Sequence, residues 1–316
     1  MSREKKTILV TGVSGFLGRH LLSEISSNSS SCDHFVVHGW YGSNSDDLPT
    51  AGDRFHYQQV DLADEASVAA GLNQALTISE QVDVCLHLAA ISSPRVCEAD
   101  AEKAKAVNVP LHLLRALADR KIPIIALSTD QVYGGDKGSL YEEGCETQPL
   151  NVYAQGKVDL EANLRQLVDS WVALRSSIIL GPEIKGAHST FLHFCKSRLR
   201  EETTFYTDEK RSVVWVGDVC ATLLWFCDNG VSVNNGEYNM GGATNVSRYD
   251  MAMAVHQVCG NDETKQNVVA TVKATLPPGP IVSPLDIGMD SSKLESLIGR
   301  KFLGLEDIIK HMNLED

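Results

Sequence analysis

The chain has 316 residues, 43% of them hydrophobic, enough for a substantial core in one or two domains. Its 41 acidic residues outnumber 28 basic ones, giving a formal net charge of -13. That balance argues against nucleic acid or an anionic membrane surface as the main partner, because such binding runs on clustered Lys and Arg. No run of about 18 apolar residues is present, so no membrane-spanning helix is expected. Residues 1–6 lead into an apolar strand without the hydrophobic centre of a signal peptide. The eight cysteines are scattered, with no C-x-x-C pair and no metal-like grouping with histidine. Cys85, Cys220 and Cys227 sit in apolar contexts where a reduced, buried thiol is usual. A reducing cytoplasmic location is therefore expected, and no metal.

In chain order, residues 7–10 form a short apolar run that ends in Thr11-Gly12, and 16–25 have the spacing of a helix. Residues 26–31 are a polar loop, and 34–39 a second strand. A third strand precedes Asp61, 64–76 have helical spacing, and 82–89 read as a buried strand. Residues 101–119 read as one long helix, 122–128 as a strand, 151–168 as a helix and 171–180 as a strand. Strands alternating with helices predict an α/β fold, a doubly wound parallel sheet of the Rossmann type. After Gly181-Pro182 the segments become shorter and more polar. The division expected is a dinucleotide-binding domain over 1–182 and a smaller substrate-binding lobe over 183–316, with some elements returning to the first.

The segment Gly12-Val13-Ser14-Gly15-Phe16-Leu17-Gly18 lies between the first strand and the first helix. Its glycines allow a tight turn and close backbone approach to a pyrophosphate, which the positive end of the helix favours. The spacing is G-x-x-G-x-x-G, a variant that resembles the short-chain dehydrogenase/reductase superfamily. At the end of the second strand an acid would bind the ribose 2′-hydroxyl of NAD. Here stands Gly39-Trp40-Tyr41-Gly42-Ser43, with no acid before Asp46. Arg19, next to the last loop glycine, is either a 2′-phosphate contact or a solvated helix residue. NADPH is thus favoured over NADH. By the same superfamily resemblance, Asp61-Leu62 meets the adenine edge, and Ala89-Ala90-Ile91-Ser92 runs along the ribose and nicotinamide.

Tyr153 and Lys157 are one helical turn apart and share a face. A neighbouring ammonium would lower the phenol pKa from about 10 towards the range that general acid catalysis needs. Alone, Y-x-x-x-K is a surface pair in most helices. Ser128-Thr129-Asp130 supplies the missing partner, at the carboxyl edge of a strand where open α/β sheets bind ligands. A hydroxyl there can hold a substrate carbonyl, although capping a turn is its plainer role.

Three segments then carry a family resemblance: Leu127-Ser128-Thr129-Asp130-Gln131-Val132-Tyr133, Tyr141-Glu142-Glu143, and Pro149-Leu150-Asn151-Val152-Tyr153-Ala154-Gln155-Gly156-Lys157. Together they are similar to the dTDP-4-dehydrorhamnose reductase family of extended short-chain dehydrogenases/reductases. The likeness is dense over residues 7–182 and thinner beyond, through Arg211 to Tyr249. It implies an NADPH-dependent reductase of a 4-keto nucleotide sugar. In that reading Tyr153 protonates the C4 oxygen, Lys157 holds the nicotinamide ribose and tunes Tyr153, and Thr129 orients the sugar. The resemblance also implies substrate contacts from Ser92, Asp130, Gln131 and Tyr133, with Arg211 as a cation for the nucleotide diphosphate. Gln131 departs from the family's Tyr, Tyr133 from its Phe, Ile178 from a substrate-facing Trp, and Pro280-Ile281-Val282-Ser283 from R-P-x-N/x-S.

A second reading keeps the dinucleotide site but not the turnover. The same subfamily includes the regulatory β subunit of methionine adenosyltransferase, so that reading implies a partner enzyme. A homodimer is compatible with either. A dehydratase would carry Asp-Glu after the threonine, whereas Asp130 is followed by Gln131.

Overall fold

A computed structural model describes residues 4–27, 32–277, 279–312 and 314. Residues 1–3 and 28–31, parts of the N-terminal segment and of the polar loop discussed above, lie outside the described residues. Seven strands form one parallel sheet. Its first six strands are β1 (Lys6–Thr11), β2 (Phe35–Tyr41), β3 (Phe55–Gln59), β4 (Val84–His87), β5 (Ile124–Thr129) and β6 (Trp171–Ser176). Across the sheet they run β6-β5-β4-β1-β2-β3, with the strand Gly236–Met240 outside β6. The order reverses between β1 and β4, the switch point at which such sheets bind ligands.

The central strands are apolar on both faces because helices cover both. Helix α1 (Phe16–Ser26) packs on one face, where Leu17, Leu21, Leu22 and Ile25 meet the strand core. On the other face, α2 (Glu65–Ser79) contributes Val68, Leu72 and Ala75. The long helix expected over 101–119 is two helices, α4 (Ala101–Asn108) and α5 (Leu111–Asp119), preceded by the short α3 (Pro94–Ala99). Pro110 has no N–H to continue α4, and its ring fixes φ, so it caps α5 instead. Helix α6 (Val152–Leu167) starts at Asn151, whose side chain accepts from the Ala154 N–H at 2.9 Å.

The strand expected over 171–180 ends at Ser176, where the Ser177 N–H turns to Met240 O at 3.2 Å. Ile179–Leu180 then pairs with Val214–Trp215, outside the main sheet. The expected boundary at 182 is crossed twice. Helix Val216–Asn229 packs on α1, and Gly236–Met240 joins the sheet beside β6. A separate apolar cluster around Leu192, Phe205, Met251 and Ile308 forms the core of the smaller lobe. No helix among the described residues is long and apolar enough to cross a membrane.

Candidate active site

The carboxyl ends of β1, β4 and β5 open on two cavities of about 420 Å³ each that meet at Gly12. One runs past Trp40, Tyr41, Gly42, Asp61, Leu62 and Ala89. The other runs past Gly15, Phe16, Leu17, Gly18, Ala90 and Ser92 to Thr129, Asp130, Gln131, Tyr153 and Lys157. Two lobes joined at a glycine loop suit a dinucleotide. The glycines differ in what they do. Gly12 has φ +72°, and a Cβ there would stand 2.6 Å from Ala89 N, while one at Gly18 would stand 2.5 Å from Gly12 O. Both are required by the loop's own packing. A Cβ at Gly15 meets only Gly12 O, at 3.3 Å, so a side chain there would fill the space beside the loop. No side chain caps α1 at Gly15, leaving its first-turn N–H groups for an anion.

Arg19 is not a solvated helix residue: it is 3% exposed. Its Nε donates to Ser14 O at 2.8 Å and its Nη2 to Asp46 O at 2.6 Å, and its Nη1 is buried without a partner. Gly186 lies against the guanidinium, since a Cβ there would come within 2.6 Å of Cζ. Arg19 therefore ties the glycine loop to the segment after β2. Asp61 stands exposed at the rim of its cavity, with Oδ1 accepting from the Ala63 N–H at 2.9 Å.

Tyr153 and Lys157 face the second cavity from α6, and Thr129 faces it from the end of β5. The Thr129 hydroxyl donates to Asp130 Oδ1 at 3.2 Å and accepts from the Gln131 N–H at 3.3 Å. Lys157 Nζ donates to Leu127 O at 2.7 Å. The expected lowering of the Tyr153 pKa by Lys157 is not seen. Burial pushes the phenol well above its ordinary value, and the hydrogen bond with Thr129 opposes this only in part. Burial also brings Lys157 down to about 8, against the pull of Glu161 and Cys97.

Two residues expected to contact substrate do not line the cavity. The Tyr133 ring is fully buried, and its hydroxyl donates to Asn239 Oδ1 at 2.7 Å and accepts from Arg175 at 3.0 Å. Arg211 is 2% exposed and holds internal carbonyls and carboxylates. Asp130 borders the cavity but is itself buried, with Oδ2 accepting from Ser177 Oγ at 2.7 Å. Other positions were missed in the sequence. Glu161, one turn beyond Lys157, accepts from Ser128 Oγ and pairs with Arg175. Asn108 clamps the loop after β4, accepting from Ile91 N at 2.7 Å and donating to Ile91 O at 3.0 Å. The i+4 spacing from Lys157 to Glu161 was the available signal. His87 is wholly buried, shares a hydrogen bond with Thr11 Oγ1 at 2.8 Å, and is held neutral by burial, its pKa lowered to about 3.

The profile of the RmlD substrate binding domain family matches residues 6–313. The chain belongs to this family. Among curated relatives, a protein of Haloferax volcanii called probable low-salt glycan biosynthesis reductase Agl14 is 30% identical over 305 residues, 94% of each chain. A dTDP-4-dehydrorhamnose reductase of Aggregatibacter actinomycetemcomitans is 25% identical, covering 92% of this chain and 93% of that one. Among solved structures, a dTDP-4-dehydrorhamnose reductase from Bacillus anthracis in complex with NADP superposes with a TM-score of 0.77 at 16% identity, covering 100% of both chains. A UDP-glucose 4-epimerase from Thermus thermophilus with NAD gives 0.74 at 21%, covering 96% of this chain and 98% of that one. These two superpositions bear on the fold alone, which this chain shares with both proteins.

Proposed function

We propose that the chain is an NADPH-dependent oxidoreductase that reduces a keto nucleotide sugar, with Tyr153 as proton donor. The observation that carries this reading is the meeting of Thr129, Tyr153 and Lys157 on one cavity that adjoins the glycine loop. The reductase names of relatives along the whole chain support the same substrate class.

When bound, the cofactor supplies the hydride. Everything else falls to the chain. Gly15 would leave room for the pyrophosphate on a loop whose packing Gly12 and Gly18 allow, and Lys157 would hold the ribose. Burial raises the Tyr153 pKa and so makes the phenol a weaker acid, which means that proton transfer depends on stabilising the phenolate. As negative charge develops on the substrate oxygen, Tyr153 gives up its O–H proton to it. The Thr129 hydroxyl orients that oxygen, and the Lys157 ammonium, on the same face of α6, stabilises the phenolate left behind. The preference for NADPH rests on the missing acid after β2. Buried thiols at Cys85, Cys220 and Cys227, each pushed up by burial, accord with a reducing cytosol.

The burial of Tyr133 and Arg211 favours a second reading, a dinucleotide-binding subunit that serves a partner enzyme. One experiment separates the two. Purified protein is incubated with NADPH and a panel of keto nucleotide sugars while the absorbance loss is followed. A reductase consumes NADPH, and Tyr153→Phe lowers kcat by roughly 10²–10⁴ with cofactor binding retained. No consumption with any sugar, or full activity in Tyr153→Phe, overturns the mechanism.

A further inference from the structure

Every nitrogen of the Arg211 guanidinium faces a fixed partner. Nη1 donates to the carbonyl oxygens of Lys210 and Leu285, both at 2.7 Å. Nη2 donates to Pro284 O at 3.0 Å and Ser283 Oγ at 3.2 Å, and Nε lies 3.9 Å from Asp130 Oδ2. One residue earlier, Val282 O accepts from Asn151 Nδ2 at 3.1 Å, and the same amide donates to Gln131 Oε1 at 3.1 Å. Residues 282–285 are thus fastened at both ends to Asp130 and Gln131, the two residues that follow Thr129.

We propose that Arg211 is a positioning residue, a latch that works with Asn151 to hold segment 282–285 against the turn beside Thr129, and that it does not contact a substrate phosphate. The planar fork explains why arginine stands here: its separate nitrogens reach the carbonyls of Lys210, Pro284 and Leu285 on different sides, a spread that the single nitrogen of an ammonium lacks. Turning it outward to a phosphate would strip Asp130 and Glu209 of a buried counter-charge, Glu209 Oε1 lying 3.5 Å from Nη2. The segment also walls a cavity of about 600 Å³ with Gly134, Leu150 and Tyr206, so its position shapes that space.

Hydrogen exchange on the full chain without ligand tests the latch. In Arg211→Met, the amides bonded across the edge of the segment, Lys210 N–H to Leu285 O and Ile287 N–H to Lys210 O, exchange faster by about tenfold or more, the loss of roughly one hydrogen bond from the opening equilibrium, while those of β1 and β5 do not change. Arg211→Lys keeps the charge opposite Asp130, so it preserves the fold and shows the same acceleration in smaller measure. Unchanged exchange in a folded Arg211→Lys protein overturns the latch, and it is also the result expected of a residue that only meets substrate phosphate. A second readout rests on the reductase reading: KM for the keto sugar rises by about tenfold with NADPH affinity retained. If the unaltered protein reduces no keto sugar, that reading fails, and the exchange measurement still decides the latch.

Discussion

The Ser128 hydroxyl donates to Glu161 Oε1 at 2.6 Å, joining the residue before Thr129 to the helix that bears Tyr153 and Lys157. Glu161 also takes Arg175 Nε at 3.1 Å and Nη2 at 2.8 Å, with both side chains 4% exposed. Breaking such a buried pair leaves an uncompensated charge. Glu161→Gln is therefore expected to destabilise the protein by about 3–5 kcal/mol in urea unfolding, and Glu161→Leu combined with Arg175→Met by much less. A cost under about 1 kcal/mol for the single change would show that the pair does not hold the site together.

Gly15 and Gly18 are expected to fail in different ways. Gly15→Val puts a side chain where only Gly12 O is near, so the fold survives and dinucleotide binding is lost. Gly18→Ala drives a Cβ to within 2.5 Å of Gly12 O and 2.6 Å of Val13 O, so it lowers thermal stability as well. Calorimetry and thermal melts on the pair check this. Undiminished NADPH affinity in Gly15→Val would remove the loop from the binding site.

Arg19→Ala distinguishes a phosphate contact from a strut. Loss of a charge-assisted hydrogen bond costs typically about 1.5–3 kcal/mol, so NADPH should weaken by roughly tenfold or more while NADH holds. An equal fall for both cofactors would mean that Arg19 acts only through Ser14 and Asp46, whose carbonyls it binds.

Most of the doubly wound sheet was legible in the sequence, because buried parallel strands are continuous apolar runs and the glycine loop sits between strand and helix. Pro110 was the visible signal that splits 101–119 into two helices. The meeting of Thr129, Tyr153 and Lys157 on one cavity was foreshadowed in the sequence because a motif fixes each residue type. Tyr133 and Arg211 were assigned by resemblance alone, and nothing local to either residue tells a buried arginine from one that meets a ligand. Contacts such as Ser128 with Glu161, or Arg211 with residues 283–285, join segments far apart in the chain. Only the folded arrangement reveals them.

Lys157 gives a pH dependence whose two readouts have opposite signs. Its pKa falls from 10.5 to about 8 on folding, because burial disfavours the ammonium. Between those values the unfolded chain still binds a proton that the folded chain has released. Stability contributed at this site therefore rises with pH through the window from about 8 to 10.5. Cofactor binding moves the other way, since the neutral amine above pH about 8 no longer offers a cation to the ribose and phenolate. NADPH affinity is expected to drop between pH 7 and pH 9 in the unaltered protein, by about tenfold as the pKa is crossed. In Lys157→Met both slopes should vanish: affinity is low and flat, and stability loses its rise over that window. Titrations of NADPH fluorescence and of urea unfolding at several pH values measure the two directly. A Lys157→Met protein that kept the full pH dependence of binding would assign it to another group and take Lys157 out of the cofactor site.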